Sequence, residues 1–325
     1  MLARPAAQPM PKGAPKLLPK GPNKLLITRN GKLSLLDPDG KNETVLSSYK
    51  EQIVQDARLS PDGKMVAVLL QADRSKEQKA KPNPKRALYV CESGSKELGA
   101  PLSTICQTFV WSADGTEIVW AEFESANQEI PKVAHVSYSL KTKEKLALKL
   151  PGGHIVTDWS RDGRFFLTTR IAKSEPSMSA RLYLMNRDGT EHKALTDEKQ
   201  LAVLGRLSPD GTRVLYTIVT PPENGKPGEP KHELAVLSVT TGESEKVQDQ
   251  PLNGQIQEGY SRSPDGKKVV YSWRQRHDGK FADLQNKETE TRLIVCDPDG
   301  KNAKTIVTEK GKGQWRVTLT GGDWR

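Results

Sequence analysis

The segment Leu59-Ser60-Pro61-Asp62-Gly63-Lys64-Met65-Val66-Ala67-Val68 recurs four more times along the chain. The copies centre on Trp111-Ser112-Ala113-Asp114-Gly115, Trp159-Ser160-Arg161-Asp162-Gly163, Leu207-Ser208-Pro209-Asp210-Gly211 and Arg262-Ser263-Pro264-Asp265-Gly266. Successive serines stand 52, 48, 48 and 55 residues apart. A period near 50 built from strands and turns is the signature of a β-propeller blade. Few other architectures accommodate it.

Each copy reads as strand, tight turn, strand. Gly accepts a positive φ, Asp bonds its own local backbone, and Pro, present in three copies, presets φ at the first turn position. The runs after the turn, such as Lys268-Val269-Val270-Tyr271, are rich in β-branched and aromatic residues, as a buried strand requires. A second hairpin signal follows downstream, for example Leu182 to Gly189 and Leu293 to Gly300. With blade strands named A to D from the hub outwards, the repeated turn joins A to B and the second joins C to D.

Counting gives a test of closure. Five A–B turns are accompanied by six C–D turns, because Leu35-Leu36-Asp37-Pro38-Asp39-Gly40 precedes the first repeat. That extra unit has a B strand at Lys24–Thr28 and no A strand before it. The segment Val317–Trp324, ending Gly-Gly-Asp-Trp, resembles Thr157-Asp158-Trp159 and supplies the missing strand from the other end of the chain. The expectation is an all-β, six-bladed propeller of four-stranded blades, one of them closed by both termini. Such closure removes an exposed sheet edge.

Ser-Pro-Asp-Gly at the A–B turn, Trp or Leu just before it, and Asp-x-Asp-Gly at the C–D turn together resemble the WD-like propeller repeat of the TolB family. The resemblance covers nearly all of residues 24–325. It implies a six-bladed propeller acting as a protein-binding module of the bacterial cell envelope. The family's type member carries an α/β domain ahead of its propeller, for which this chain has no room, so contacts made through that domain do not carry over.

Composition divides the chain into a tail, residues 1–23, and a single propeller, residues 24–325. The first 24 residues hold Arg4, Lys12, Lys16, Lys20 and Lys24, six prolines and no acid, which provides little surface to bury. They supply half of the formal charge of +10, so the propeller body is only mildly basic. With no interleaved aromatics or RNA-binding motif, the expectation is no nucleic-acid partner. No apolar run of about 18 residues predicts a transmembrane span. The start of the chain lacks a signal-peptide apolar core, which points to the cytoplasm, whereas the Ala-rich start, the Pro/Lys linker and the family resemblance point to export to the periplasm. Cys91, Cys106 and Cys296 are unclustered and read as reduced core residues.

Catalytic motifs are missing from the sequence: no Gly-x-Ser-x-Gly elbow, His-Glu-x-x-His, Cys-x-x-Cys or phosphate-cradling glycine loop is present. The expectation is no catalytic residue, no cofactor and no resident metal. Two Asp-Pro-Asp-Gly-Lys-Asn segments, at Asp37–Asn42 and Asp297–Asn302, superficially match calcium loops, but hairpin turns explain both. Long B–C connections, expected near residues 71–86, 123–133, 171–180, 219–232 and 273–291, make the face opposite the A–B turns the candidate binding side. The residues expected to carry binding there are His154, His232, Trp273, Arg274 and His277, which combine aromatic area with hydrogen-bond donors. Trp111, Trp159 and Trp324 share one blade position and read as wedges between blades, while Trp120 and Trp273 end B strands.

The function expected is non-enzymatic: a monomeric scaffold that binds an envelope protein or peptide. Two alternatives stay open, a propeller lyase or hydrolase using the histidine-bearing loops and a cytoplasmic interaction hub.

Overall fold

The computed structural model describes residues 22–49, 52–72, 86–95, 97–123, 132–174, 177–222, 229–247, 250–251, 254–256, 260–277, 287–312 and 319–324. The expected tail falls outside them except for Pro22 and Asn23, as do Val317 and Thr318 and most of the expected B–C loops. The described residues form strands without a helix. Among them, no helix is long and apolar enough to cross a membrane.

The first antiparallel unit holds β1 (Leu25–Arg29), β2 (Lys32–Leu36) and β3 (Thr44–Ser48). Next come β4 (Gln52–Leu59), β5 (Met65–Ala72) and β6 (Arg86–Glu92), then β7 (Cys106–Trp111), β8 (Glu117–Phe123), β9 (Val133–Ser139) and β10 (Lys145–Leu148). The chain continues through β11 (His154–Trp159), β12 (Phe165–Ser174), β13 (Ser177–Asn186) and β14 (Lys193–Ala194). It then forms β15 (Leu201–Leu207), β16 (Arg213–Thr220), β17 (Lys231–Ser238) and β18 (Ser244–Lys246). The last unit contains β19 (Gly254–Ile256), β20 (Ser261–Arg262), β21 (Val269–Gln275), β22 (Glu288–Cys296) and β23 (Lys304–Lys312). Finally β24 (Leu319–Trp324) returns to the first unit, giving the order β24-β1-β2-β3. Leu25 pairs with Trp324 and Arg29 with Leu319. The unit that opens at the N-terminal side thus takes its innermost strand from the C-terminal end.

All five repeated turns close by one device. In the first, the Ser60 hydroxyl donates to Asp62 Oδ1 at 2.6 Å and accepts from the Met65 amide at 3.0 Å. Asp62 Oδ1 also accepts the Lys64 amide at 3.1 Å, and the Gly63 amide donates to the Ser60 carbonyl at 2.8 Å. The same Ser–Asp contact recurs at Ser112–Asp114, Ser160–Asp162, Ser208–Asp210 and Ser263–Asp265, between 2.5 and 2.7 Å. Gly63 sits at φ +73°, a conformation that β-carbon-bearing residues rarely adopt, and its α-carbon faces the Pro22 ring. The repeat is therefore a hydrogen-bonded clamp that fixes the A–B turn.

Between units the core is a set of face-to-face apolar layers. Trp111 packs with Ala67, Leu69 and Leu88 of the preceding unit, and its indole donates to the Arg58 carbonyl at 3.1 Å. Trp159 joins Val110 and Val119, and Trp324 joins Val270 and Leu293. These three are inter-unit wedges, as their shared position predicted. Trp120 is fully buried in the same layer as Trp111. Cys91, Cys106 and Cys296 are buried free thiols, and burial raises all three pKa values, that of Cys296 to about 12.

The structure departs from the expected pattern in two places. Residues 171–180, expected as a loop, are mostly hairpin: β12 and β13 pair continuously from Phe165↔Asn186 to Ser174↔Ser177. The run Phe165–Ser174 carries enough β-branched and aromatic residues to extend the ladder to its end. The second unit pairs only β4, β5 and β6, with Leu88↔Ser103 an isolated bridge in place of a fourth strand. Pro101 beside it lacks the amide that a ladder needs. In the last unit the described parts of the inner strand, β19 and β20, both pair with β21.

Candidate functional site

Where the inner strands end at the Ser–Asp turns, they surround a cavity of about 180 Å³. Its wall carries Arg58, Arg161, Arg206 and Arg262 against Asp158 and Asp323, and its rim carries Trp111, Trp159 and Trp324 with Pro61, Pro209 and Pro264. Bulges place part of this wall. The inner strands β11, β15 and β24 each shift register, and the residues just past the irregularity are Asp158, Arg206 and Asp323. A bulge adds a residue to one strand and re-aims the next side chain. Here the re-aimed side chains face the hub.

The two carboxylates are engaged by backbone. Asp323 Oδ2 accepts the Leu59 amide at 2.8 Å, and Asp158 Oδ2 accepts the Leu207 amide at 2.7 Å. Each aspartate thereby ties its own inner strand to that of the next unit along the chain. Arg58 is bound by Asp56 through Nε at 3.1 Å and Nη2 at 2.8 Å, and its guanidinium lies 5.1 Å from the Phe109 ring centre. Burial would lower its pKa, but Asp56 and Asp323 outweigh that and raise it.

Arg206 and Arg262 differ. Arg206 Nη1 donates to the Thr157 and Gly205 carbonyls. Arg262 is 8% exposed, and its Nε and Nη2 have no hydrogen-bond partner among the described residues. Burial, followed by the neighbouring charge of Arg58 for one and Arg213 for the other, lowers both pKa values. The mouth is a recess with surplus positive charge and an aromatic and proline rim. Such a site can hold an anionic oxygen group while apolar atoms rest on the rim.

The residues expected to bind on the opposite side do not all come together. His232, Arg274 and His277 gather around Glu229, whereas Trp273 packs in the apolar layer of Ile256 and Tyr271. Arg274 Nη2 pairs with Glu229 Oε1 at 2.8 Å and also donates to Gln255 Oε1. The His277 amide donates to Glu229 Oε2 at 3.2 Å, and its Nε2 contacts the Thr289 hydroxyl at 3.2 Å. His232 Nδ1 contacts the Ile256 carbonyl at 3.1 Å, and burial lowers its pKa. Trp273 is buried, with Arg292 stacked 5.0 Å from its ring. The Gly254 backbone lies so close to that indole that an added β-carbon would overlap it.

His154 stands apart from these four. It is 2% exposed, holds the Thr168 hydroxyl at 2.9 Å through Nδ1, and meets the Tyr183 ring edge-on at 4.8 Å. His192 lies 5.6 Å away, and His135 on β9 accepts the Val156 amide at 3.3 Å. Burial pushes His135 and His154 down to about 4.

Sequence reasoning did not single out Arg58, Asp158, Arg206, Arg262, Asp323 or Glu229. The signal for the first three was present: two residues before the repeat serine stand Arg58, Val110, Asp158, Arg206 and Ser261, a variable position inside an otherwise regular motif. The Asp-Pro-Asp-Gly-Lys-Asn segments show no bias towards metal. Asp37 is held by Lys24 and Asn42, and Asp297 by Lys268 and Asn302.

No protein-family model matches the chain, and no curated protein does. Among solved structures, TolB from Acinetobacter baumannii is similar over 91% of this chain and 64% of that one, with 18% identity and a TM-score of 0.60. This chain thus spans less than two thirds of that protein. The TolB structure from Agrobacterium tumefaciens matches 90% of this chain and 91% of its own, with 21% identity and a TM-score of 0.59. Hydrazine synthase from Kuenenia stuttgartiensis matches 90% of this chain and 81% of its own, with 14% identity and a TM-score of 0.54. At such identities the likeness is one of fold. The chain has a β-propeller fold similar to that of the TolB structures.

Proposed function

We propose that the chain is a six-bladed propeller, closed by strands from both ends, that binds a protein or peptide of the bacterial cell envelope without chemistry of its own. The ring reading is supported by the order β24-β1-β2-β3 and by the packing of β24 against β4 on one side and β20 and β21 on the other. Residues 24–325 then act as one domain. The envelope setting rests on the family resemblance of the repeat.

One observation carries the binding reading: the cavity at the turn-side mouth, lined by three tryptophans, three prolines and the Arg262 guanidinium, two of whose nitrogens have no hydrogen-bond partner among the described residues. A peptide segment offers the apolar atoms for such a rim and the acceptors for such a wall. On the opposite side, Arg274 and Glu229 hold one another, and His232 and His277 are anchored to neighbouring backbone and hydroxyl groups. That cluster therefore fixes the loop-side architecture, and contact with a partner there would run through its outer edges.

The test is saturable binding. Purified protein immobilised and exposed to envelope extract should retain a defined protein or peptide, and the same species in pure form should bind with one-to-one stoichiometry. Failure to find a saturable partner, together with turnover of a polysaccharide or ester substrate, would replace this reading with the enzymatic one.

A further inference from the structure

The hub mouth holds more positive charge than its own carboxylates use. Four arginines line it against two aspartates, and both aspartates already accept backbone amides. Arg58 is satisfied by Asp56. Arg206 has only carbonyl oxygens as acceptors, and Arg262 has none for Nε and Nη2. Among the described residues neither of these two guanidinium groups has a carboxylate within ion-pair distance.

A guanidinium more than nine-tenths buried with two open donor atoms is costly for a fold. Burying an unpaired charge costs several kcal/mol unless something compensates. Protein interiors rarely leave such groups without a partner. Arg262 lines the cavity although its Nε and Nη2 are themselves closed to solvent, so a compensating acceptor meets this side chain from the cavity side.

We infer that the turn-side mouth of the propeller is a carboxylate-binding site, with Arg262 and Arg206 as its donors, that recognises an acidic residue of a bound peptide. This rests on the protein- or peptide-binding reading and names the chemistry of recognition within it. The guanidinium fork matches a carboxylate in plane and spacing. A cavity of about 180 Å³ holds a single side chain rather than a folded surface. Trp111, Trp159 and Trp324 with Pro61, Pro209 and Pro264 give the peptide's methylenes and backbone an apolar frame. Asp158 and Asp323 stay with the Leu207 and Leu59 amides, so an arriving carboxylate does not displace them.

The probes are hexaglutamate, its neutral counterpart hexaglutamine, and inorganic phosphate, titrated into the full chain at low ionic strength. Tryptophan fluorescence reports directly, because three tryptophans line the cavity, and calorimetry supplies stoichiometry. Hexaglutamate should bind saturably, and Arg262→Gln and Arg206→Gln should each weaken it by about 10- to 100-fold, the loss expected for one charge-assisted hydrogen-bond pair. Lys246→Gln, remote from the cavity, should change nothing. The melting midpoint of Arg262→Gln should hold or rise, because a buried unpaired charge has been removed.

Four results would overturn the proposal. One is equal binding of hexaglutamine, which leaves peptide binding standing but not carboxylate recognition. Another is hexaglutamate affinity unaltered in both arginine variants. A third is saturation by phosphate with no response to hexaglutamate, which would make the mouth a phosphate site. The last is no response to any probe. A large fall in midpoint for Arg262→Gln would assign that arginine a structural role, and retention of the Arg206→Gln effect would then decide whether the mouth still reads carboxylates.

Discussion

Replacing Trp324 with Ala should strike the pairing of β24 with the first unit, on which the proposed closure depends. The indole is 5% exposed and packs with Leu25, Ile27, Leu36, Val270 and Leu293, residues drawn from β1, β2, β21 and β22. Its Nε1 donates to the Asn23 side chain at 2.9 Å, and its amide donates to the Ser261 hydroxyl at 2.8 Å. Truncating a buried Trp to Ala costs about 3–5 kcal/mol. At about 2–4 °C per kcal/mol for a chain of 150–250 residues, with the lower end apt for a longer chain, the midpoint should fall by roughly 6–15 °C. Deleting residues 319–325 should cost more. It strips the partner from β1 and removes Asp323, leaving the buried Leu59 amide without its acceptor. The bared edge of β1 should also promote self-association. Scanning calorimetry gives the midpoints, and size-exclusion chromatography gives the oligomeric state. A truncated protein that stays monomeric and melts within about 2 °C of the parent would refute closure by the C-terminal strand.

Two further perturbations address the turns and the buried histidines. Asp210→Ala deletes the acceptor for the Ser208 hydroxyl at 2.5 Å and the Thr212 amide at 3.1 Å, and should cost roughly 0.5–1.5 kcal/mol per bond in urea titrations. Burial alone would raise the Asp210 pKa, but the Ser208 and Thr212 bonds lower it, so this contribution is full above the ordinary carboxylate value and is lost as pH falls through the lowered one. His135 and His154 are neutral in the fold, with values near 4 against 6.5 in an open chain. The unfolded state then binds more protons between those limits, so stability should be full above pH 6.5 and drop as the pH falls towards 4. His135→Gln, which keeps an acceptor for the Val156 amide, should flatten that slope by about half, and an unchanged slope would remove His135 from the account.

The elements legible in the sequence are those fixed by local chemistry. Ser60, Asp62 and Gly63 clamp their turn with bonds spanning at most five residues, so the motif alone specifies the geometry, and its five copies specify the repeat. The wedge tryptophans could be read because Trp111, Trp159 and Trp324 share a motif position. What escaped is non-local. That β12 and β13 run on through 171–180 depends on pairing between two segments, neither of which carries a turn signal until Glu175-Pro176. The hub charges escaped because a bulge decides which side chain faces the axis, and β4, β7, β11, β15 and β24 shift register at differing distances from the turn. On the loop side His232, Arg274 and His277 lie around Glu229, a partner that no pattern marked, while Trp273 is packed in an apolar layer.

Stability and recognition divide along the inner strands. Serine, aspartate and glycine recur in every A–B turn because each blade must close in the same way. Two residues before the serine the demand varies from blade to blade: Val110 joins the apolar layer of Val119 and Trp159, whereas Arg58, Asp158 and Arg206 line the mouth. Asp158 and Asp323 use this freedom to clamp the next inner strand through the Leu207 and Leu59 amides. Arg58 uses it and is neutralised from its own strand by Asp56. A hub built only for stability would stop there, with charges paired or replaced by apolar groups of similar size, which is commonly neutral or stabilising. Arg206, and Arg262 one residue before its own serine, add buried positive charge without a carboxylate in direct contact: Asp158 and Asp56 act on Arg206, and Asp210 on Arg262, only through space. The surplus weakens the empty ring and gains its return only when an acceptor enters the mouth. A destabilised, preorganised group of that kind is the physical form a binding site takes on a rigid scaffold.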